Sequence, residues 1–158
     1  DVALEGEIGK MDASISGGGD LVMKVGLGML DLSLSGGGDM TADLGDHVRE
    51  ASISVSGGGD LALEVHAIDC KVSVGGGGDA SLAGSAESFK GSITSGGDLS
   101  AEDFKIRDAV LELTGGSDAK IHVDNELKLK ASGGCQIYVG GDPHIDANLT
   151  GGSKIHRK

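Results

Sequence analysis

Asp1, Asp20, Asp39, Asp60, Asp79, Asp98 and Asp118 recur at near-constant spacing and are the first candidates for chemistry in this sequence. Carboxylates in a row would suit Ca²⁺, which takes several oxygens and bridges carboxylates. The nine-residue calcium repeat with Gly-Gly-x-Gly-x-Asp looks similar, but its period differs from the one in this chain. The structural alternative is that each carboxylate accepts hydrogen bonds from nearby Gly or Ser groups, as Asp does in turns. Such bonds would offset a repulsion of about 0.9 kcal/mol between neighbours about 4.8 Å apart in bulk water. The structural reading is the stronger, and calcium is not expected to be required for folding.

The other polar groups converge less. Ser16, Ser35, Ser56, Thr94, Thr114, Ser132 and Thr150 fall at one repeat position. Stacked, they would make a hydrogen-bonded ladder or a solvated face, and a flat surface suited to a glycan or a protein. Cys70 falls among apolar positions and reads as a small buried hydrophobe. Cys135 lies about three repeats further on, on the order of 15 Å away, beyond the roughly 7 Å Cα limit of a disulfide. His47, His66, His122, His144 and His156 have no His-x-x-x-His or Cys-x-x-Cys company, so no zinc site is expected. Tyr138 reads as a single exposed aromatic, not a stacking platform. No nucleophile elbow, P-loop or dinucleotide fingerprint occurs. No catalytic, cofactor or metal residue is assigned, and no enzyme activity is expected.

The elements that carry these residues follow from an internal repeat. Gly-Gly-Gly-Asp occurs at Gly17–Asp20, Gly36–Asp39, Gly57–Asp60 and Gly76–Asp79. Weaker copies end at Asp98, Asp118, Gln136 and Lys154. With the last residue of each as a mark, the spacings are 19, 21, 19, 19, 20, 18 and 18. Five residues before the marks stand Ile15, Leu34, Val55, Val74, Ile93, Leu113, Ala131 and Leu149; seven and nine before, and one and three after, are also apolar columns. Between them run polar columns, among them Ser14, Ser33, Ser54, Ser73 and Ser92. Strict alternation is the signature of strands with one buried face. A repeat of this length suits one coil of an all-β parallel β-solenoid, about eight coils of 18–21 residues forming one domain over 1–158 and rising roughly 35–40 Å. The Gly clusters fall where a coil must bend. Gly45–Glu50 and Ser85–Ser88 lie between marks and are expected to be loops.

Composition narrows the partners. Glycine supplies 30 of 158 residues, against an average near 7 %. The glycines cluster and do not recur at every third position, which excludes collagen. The net charge of −12 disfavours nucleic acid and anionic lipid. No apolar run approaches the roughly 18 residues of a membrane span, so no membrane insertion is expected.

The serial Ser-Gly-x-Gly-Asp-Leu units, the stretch Ile137-Tyr138-Val139-Gly140-Gly141-Asp142-Pro143 and the close Leu149-Thr150-Gly151-Gly152-Ser153-Lys154-Ile155 resemble the head GIN domain adhesins, cell-envelope proteins of Gram-negative bacteria. The resemblance spans nearly the whole chain. It implies a right-handed parallel β-helix and export to the periplasm, outer membrane or cell surface; it supplies no catalytic motif. The expected function is a non-enzymatic adhesin-like binding or scaffold solenoid with an unidentified glycan or protein ligand. The alternatives are a pectinase-like polysaccharide enzyme, or a lipid-binding or assembly module. Asp1 falls inside a repeat, so a further N-terminal part is expected, and an open coil end would invite self-association. At the other end Lys154, His156, Arg157 and Lys158 form a basic run that could guard the last edge.

Overall fold

The computed structural model describes residues 2–18, 20–45 and 48–158; for 2–8 and 25–27 only the backbone is described. Asp1 and His47, both singled out above, lie outside the described residues, as do Gly19 and Asp46. The strands are β1 (Val2–Gly17), β2 (Leu21–Gly36), β3 (Met40–Asp43), β4 (Val48–Gly57), β5 (Leu61–Gly76), β6 (Ala80–Thr94), β7 (Leu99–Thr114), β8 (Asp118–Ser132), β9 (Gln136–Gly140), β10 (His144–Leu149) and β11 (Lys154–Arg157). Every pairing is parallel, and each coil bonds to the next along the chain. The result is a β-solenoid of about 7 turns, close to the eight that the marks count.

The register is the one the marks set. Ala13, Leu32, Ile53, Val72, Gly91, Leu111, Leu129 and Ala147 are successive partners in one column. Leu32, Ile53, Val72, Leu111 and Leu129 are all buried, while Ser14, Ser33 and Ser54 face solvent. At the first coil Met11, Ala13 and Ile15 are only partly buried against the core. A fully buried Leu, Ile or Val contributes about 1.5–3 kcal/mol, so a column repeated coil after coil is the principal stabilising feature.

Alternation is not continuous through a coil. In β5 the buried residues are Leu61, Leu63 and Val65, then Cys70, Val72 and Val74, so the phase resets across Ala67–Asp69. In β7 it resets twice, after Ala101 and after Ile106. These resets are corners, and the differences in repeat length are absorbed at or beside them. The 21-residue spacing reflects two extra residues between Asp43 and Val48, opposite Glu64 and Ala67. The 20-residue spacing is a one-residue bulge: Ser81 and Ala83 pair with Ser100 and Asp103. Of the expected loop Gly45–Glu50, Gly45 lies outside the strands, but Val48–Glu50 open β4 and pair with β5 and β2. Ser85–Ser88 is not a loop: it lies within β6 and pairs with β5 and β7. Its small residues tolerate the corner without leaving the ladder.

Core volume is shared between columns. Gly91 interrupts its column, and Phe89 of the same coil takes the space; a Cβ on Gly91 would lie 2.9 Å from the Phe89 ring and 2.5 Å from Leu111. Phe89 then meets Phe104 edge-on, with centroids 5.9 Å apart, a favourable aromatic geometry.

Candidate functional site

The aspartate column forms a ladder with a donor the sequence did not suggest. Oδ1 of Asp20, Asp39, Asp60, Asp79, Asp98 and Asp118 each accepts from the main-chain N–H of the mark residue one coil up, at 3.1–3.4 Å. The donor is therefore not a Gly or Ser of the same turn. The last bond goes to Gln136, whose Oε1 lies 3.1 Å from His156 Nε2. Among the described residues no three His, Cys, Asp or Glu side chains gather closely enough to hold a metal.

The hydroxyl column next to the turns is partly tied down. Ser35 and Ser56 donate to the Ile15 and Leu34 carbonyls of the coil below, at 3.3 and 3.4 Å. Its neighbour, the column Ser14, Ser33, Ser54, Ser73 and Ser92, is in direct register. These short side chains repeat at the inter-strand spacing of about 4.8 Å, so the face they occupy is flat. Further up, Glu112 and Lys130 continue the same column as an ion pair at 3.1 Å.

The two cysteines are free and buried. Burial pushes the Cys70 thiol up to about 12. Cys135 serves a turn: its Sγ donates to the Ser132 carbonyl at 3.3 Å. Tyr138 is half-buried and not a lone aromatic, for it stacks on His156 with centroids 4.8 Å apart. His66 Nδ1 lies 2.8 Å from Ser85 Oγ, and His122 Nε2 lies 3.3 Å from Asp124 Oδ1. Of the basic run, Lys154–Arg157 forms β11 on β9, and Lys158 reaches across to Glu102, whose carboxyl it holds below the usual range.

A groove at the corner of the middle coils was missed. It is lined by Val48, Ala67 and Ala86 at its base and by Arg49, Ile68, Glu87, Lys105 and Arg107 around it. Arg49, Ile68, Glu87 and Arg107 all stand eleven residues before their marks, so counting two columns further back would have found them. The phase reset hides them, because a corner breaks the alternation that makes the other columns visible.

The comparisons with known proteins agree on the architecture. No curated protein sequence matches the chain. Among solved structures it is similar to a putative lipid binding protein from Parabacteroides distasonis, with a TM-score of 0.66 and 17 % identity. That similarity covers 98 % of this chain and 55 % of the other, so the chain spans about half the length of that protein. Residues 28–143 match the family described as "Putative auto-transporter adhesin, head GIN domain"; with that match covering most of its length, the chain belongs to this family.

Proposed function

We propose that this chain is a non-enzymatic, adhesin-like binding or scaffold solenoid of the cell envelope, exported to the periplasm or the cell surface. The observation that carries the reading is the flat face. Ser14, Ser33, Ser54, Ser73 and Ser92 repeat in register on strands that the parallel ladder holds rigidly. Repetitive extended faces of this kind are how solenoids present binding surfaces. Its ligand is a surface glycan or a protein. No helix among the described residues is long and apolar enough to cross a membrane. A glycan and protein array probed with the intact chain tests the reading. Selective binding abolished by Ser54→Lys or Ser73→Lys supports it; binding indifferent to those changes removes the face from consideration.

A second reading, lipid binding, has its own support. The structure similar over 98 % of this chain is that of a putative lipid binding protein, and exposed Ile68 borders the apolar base of the corner groove.

A further inference from the structure

In the column Val48, Ala67, Ala86, Ile106 each residue pairs with the next. The middle two are alanines. At this corner Val48, Ala67 and Ala86 line a concavity of about 590 Å³, within the range of small-ligand sites, while Ile106 above them is fully buried in the core. Ile68 stands beside it, 49 % exposed. An apolar ligand seated in the hollow would take the Ile68 side chain out of water.

The charge around the hollow runs against that of the whole molecule. Arg49, Lys105 and Arg107 line it, against Glu87 and Asp124, on a chain whose net charge is −12. Arg107 reaches Asp108 at 3.7 Å, while Arg49 and Lys105 make no ion pair among the described residues. Lys105 and Arg107 are both exposed, flank the buried Ile106 on β7, and both line the groove. The pairing Lys105 with Ser85, and Ile106 with Ala86, sets this cationic pair one coil above the alanine hollow.

We infer that the corner groove binds a single-chain anionic amphiphile. Its phosphate or carboxylate head is held by Lys105 and Arg107, and its acyl tail lies over Ala86 and Ala67 against Ile68. A guanidinium matches the two oxygens of such a head, and the tail gains from leaving water. Net charge alone argues against anionic lipid; in the groove lining three cations stand against two carboxylates, a local excess of one positive charge on an otherwise acidic chain. The inference rests on the lipid-binding reading and is independent of the flat serine face.

The test titrates the 158-residue chain with octyl phosphate below its micelle concentration, in parallel with inorganic phosphate and with octanol. One saturable site for octyl phosphate, at least about tenfold tighter than either partial ligand, is expected. Ala67→Leu fills the hollow and should weaken octyl phosphate about tenfold or more; Ile68→Ser, at an exposed position that the fold does not need, should weaken it in the same direction. Arg107→Gln should weaken octyl phosphate about tenfold and leave octanol unchanged. Phosphate binding as tightly as octyl phosphate reveals a bare anion patch and overturns the inference. Octanol binding as tightly as octyl phosphate overturns the head-group assignment while the lipid-binding reading survives. No binding of either amphiphile overturns both.

Discussion

The lower and upper coils turn their glycine corners differently. Among the described residues of the four Gly-Gly-Gly-Asp turns, only the first glycine of each has positive φ: Gly17, Gly36, Gly57 and Gly76, at 98°, 119°, 117° and 89°. In the later coils two successive residues do: Ser95 and Gly96, Gly115 and Gly116, Gly133 and Gly134, Gly151 and Gly152. The bonding changes with the geometry. Below, the second glycine donates down the stack, as Gly58 N–H does to the Gly36 carbonyl at 3.0 Å; above, the first turn residue donates up to the next coil, as Gly115 N–H does to the Ser132 carbonyl at 3.1 Å. The residue before the mark then differs for a steric reason. A Cβ on Gly59 would lie 2.2 Å from the Gly38 carbonyl oxygen, and one on Gly78 2.5 Å from that of Gly59. At Gly97 a Cβ would still lie 2.7 Å from the Gly78 carbonyl oxygen; from the next coil on the position carries a side chain, and Ser117, Cys135 and Ser153 each donate to the carbonyl three residues back, at 3.1, 3.3 and 2.9 Å. The copies ending at Asp118, Gln136 and Lys154 are thus a second kind of turn, closed by a side chain where the first is closed by backbone contact.

The largest effect tests what the two halves share. Val74→Asp places a carboxylate without a partner in a column buried from Leu34 to Ala131, at a cost of several kcal/mol. Because that column crosses both turn types, amide exchange should show neighbouring coils opening on both sides. Unchanged thermal unfolding would show that the column is not a core.

The turn comparison itself predicts the next effect. Gly57→Ala puts a methyl 2.3 Å from the Gly36 carbonyl oxygen at φ 117°, and should cost about 3 kcal/mol or more. Gly134→Ala meets nothing nearer than 3.9 Å, so only its positive φ is penalised, by about 1 kcal/mol. Equal losses in denaturant melts would erase the distinction between the turns. Ser117→Ala should then cost about 1–3 kcal/mol, because Ser117 is fully buried and its removal strands the Gly96 N–H, while the Thr114 carbonyl keeps the Ser95 N–H.

Part of this contrast was legible beforehand. The marks located the core columns and the serine face, since every column keeps a fixed offset from a mark; they also foretold the extra residues near Gly45. The onset of the second turn type was hidden. Gly96 follows a Ser and precedes Gly-Asp, much as Gly37 and Gly58 sit in their own clusters, and glycine admits either sign of φ without a sequence signature. The corner groove was hidden for a related reason: at Ala67 and Ala86 the two-residue period lapses, and small residues at a corner look like a loop.

The two cysteines, one in each half, offer a finer test. Cys70 is raised to about 12 by burial, above its value in an unfolded chain, roughly 8.5. Between these values the unfolded state has released a proton that the folded state keeps, so this contribution to stability is present below about pH 8.5 and lost as pH rises toward 12. Cys70→Ala should make the alkaline decline of the melting temperature shallower, whereas Cys135→Ala removes the turn's Sγ donor to the Ser132 carbonyl and should lower the melting temperature itself. A slope unaffected by Cys70→Ala would place that thiol in contact with solvent.

The smallest effect expected is from calcium. Each ladder aspartate from Asp20 to Asp118 uses Oδ1 on an N–H of the next coil, and a charge-assisted bond of this kind exceeds the screened repulsion between exposed neighbours. Asp60→Asn keeps the acceptor and removes a charge, so it should leave stability within about 0.5 kcal/mol. Asp60→Ala removes the acceptor and should cost about 1 kcal/mol. Calcium adds a different demand: several oxygens around one ion, where a column supplies one outward oxygen per coil. Melting curves with calcium and with chelator should therefore overlay for the native chain and for Asp60→Asn alike. A stabilisation that grows with calcium concentration and disappears in Asp60→Asn would mean that the outward oxygens of adjacent coils act together, and the ladder from Asp20 to Asp118 would then be a metal site that stops where Gln136 replaces the aspartate.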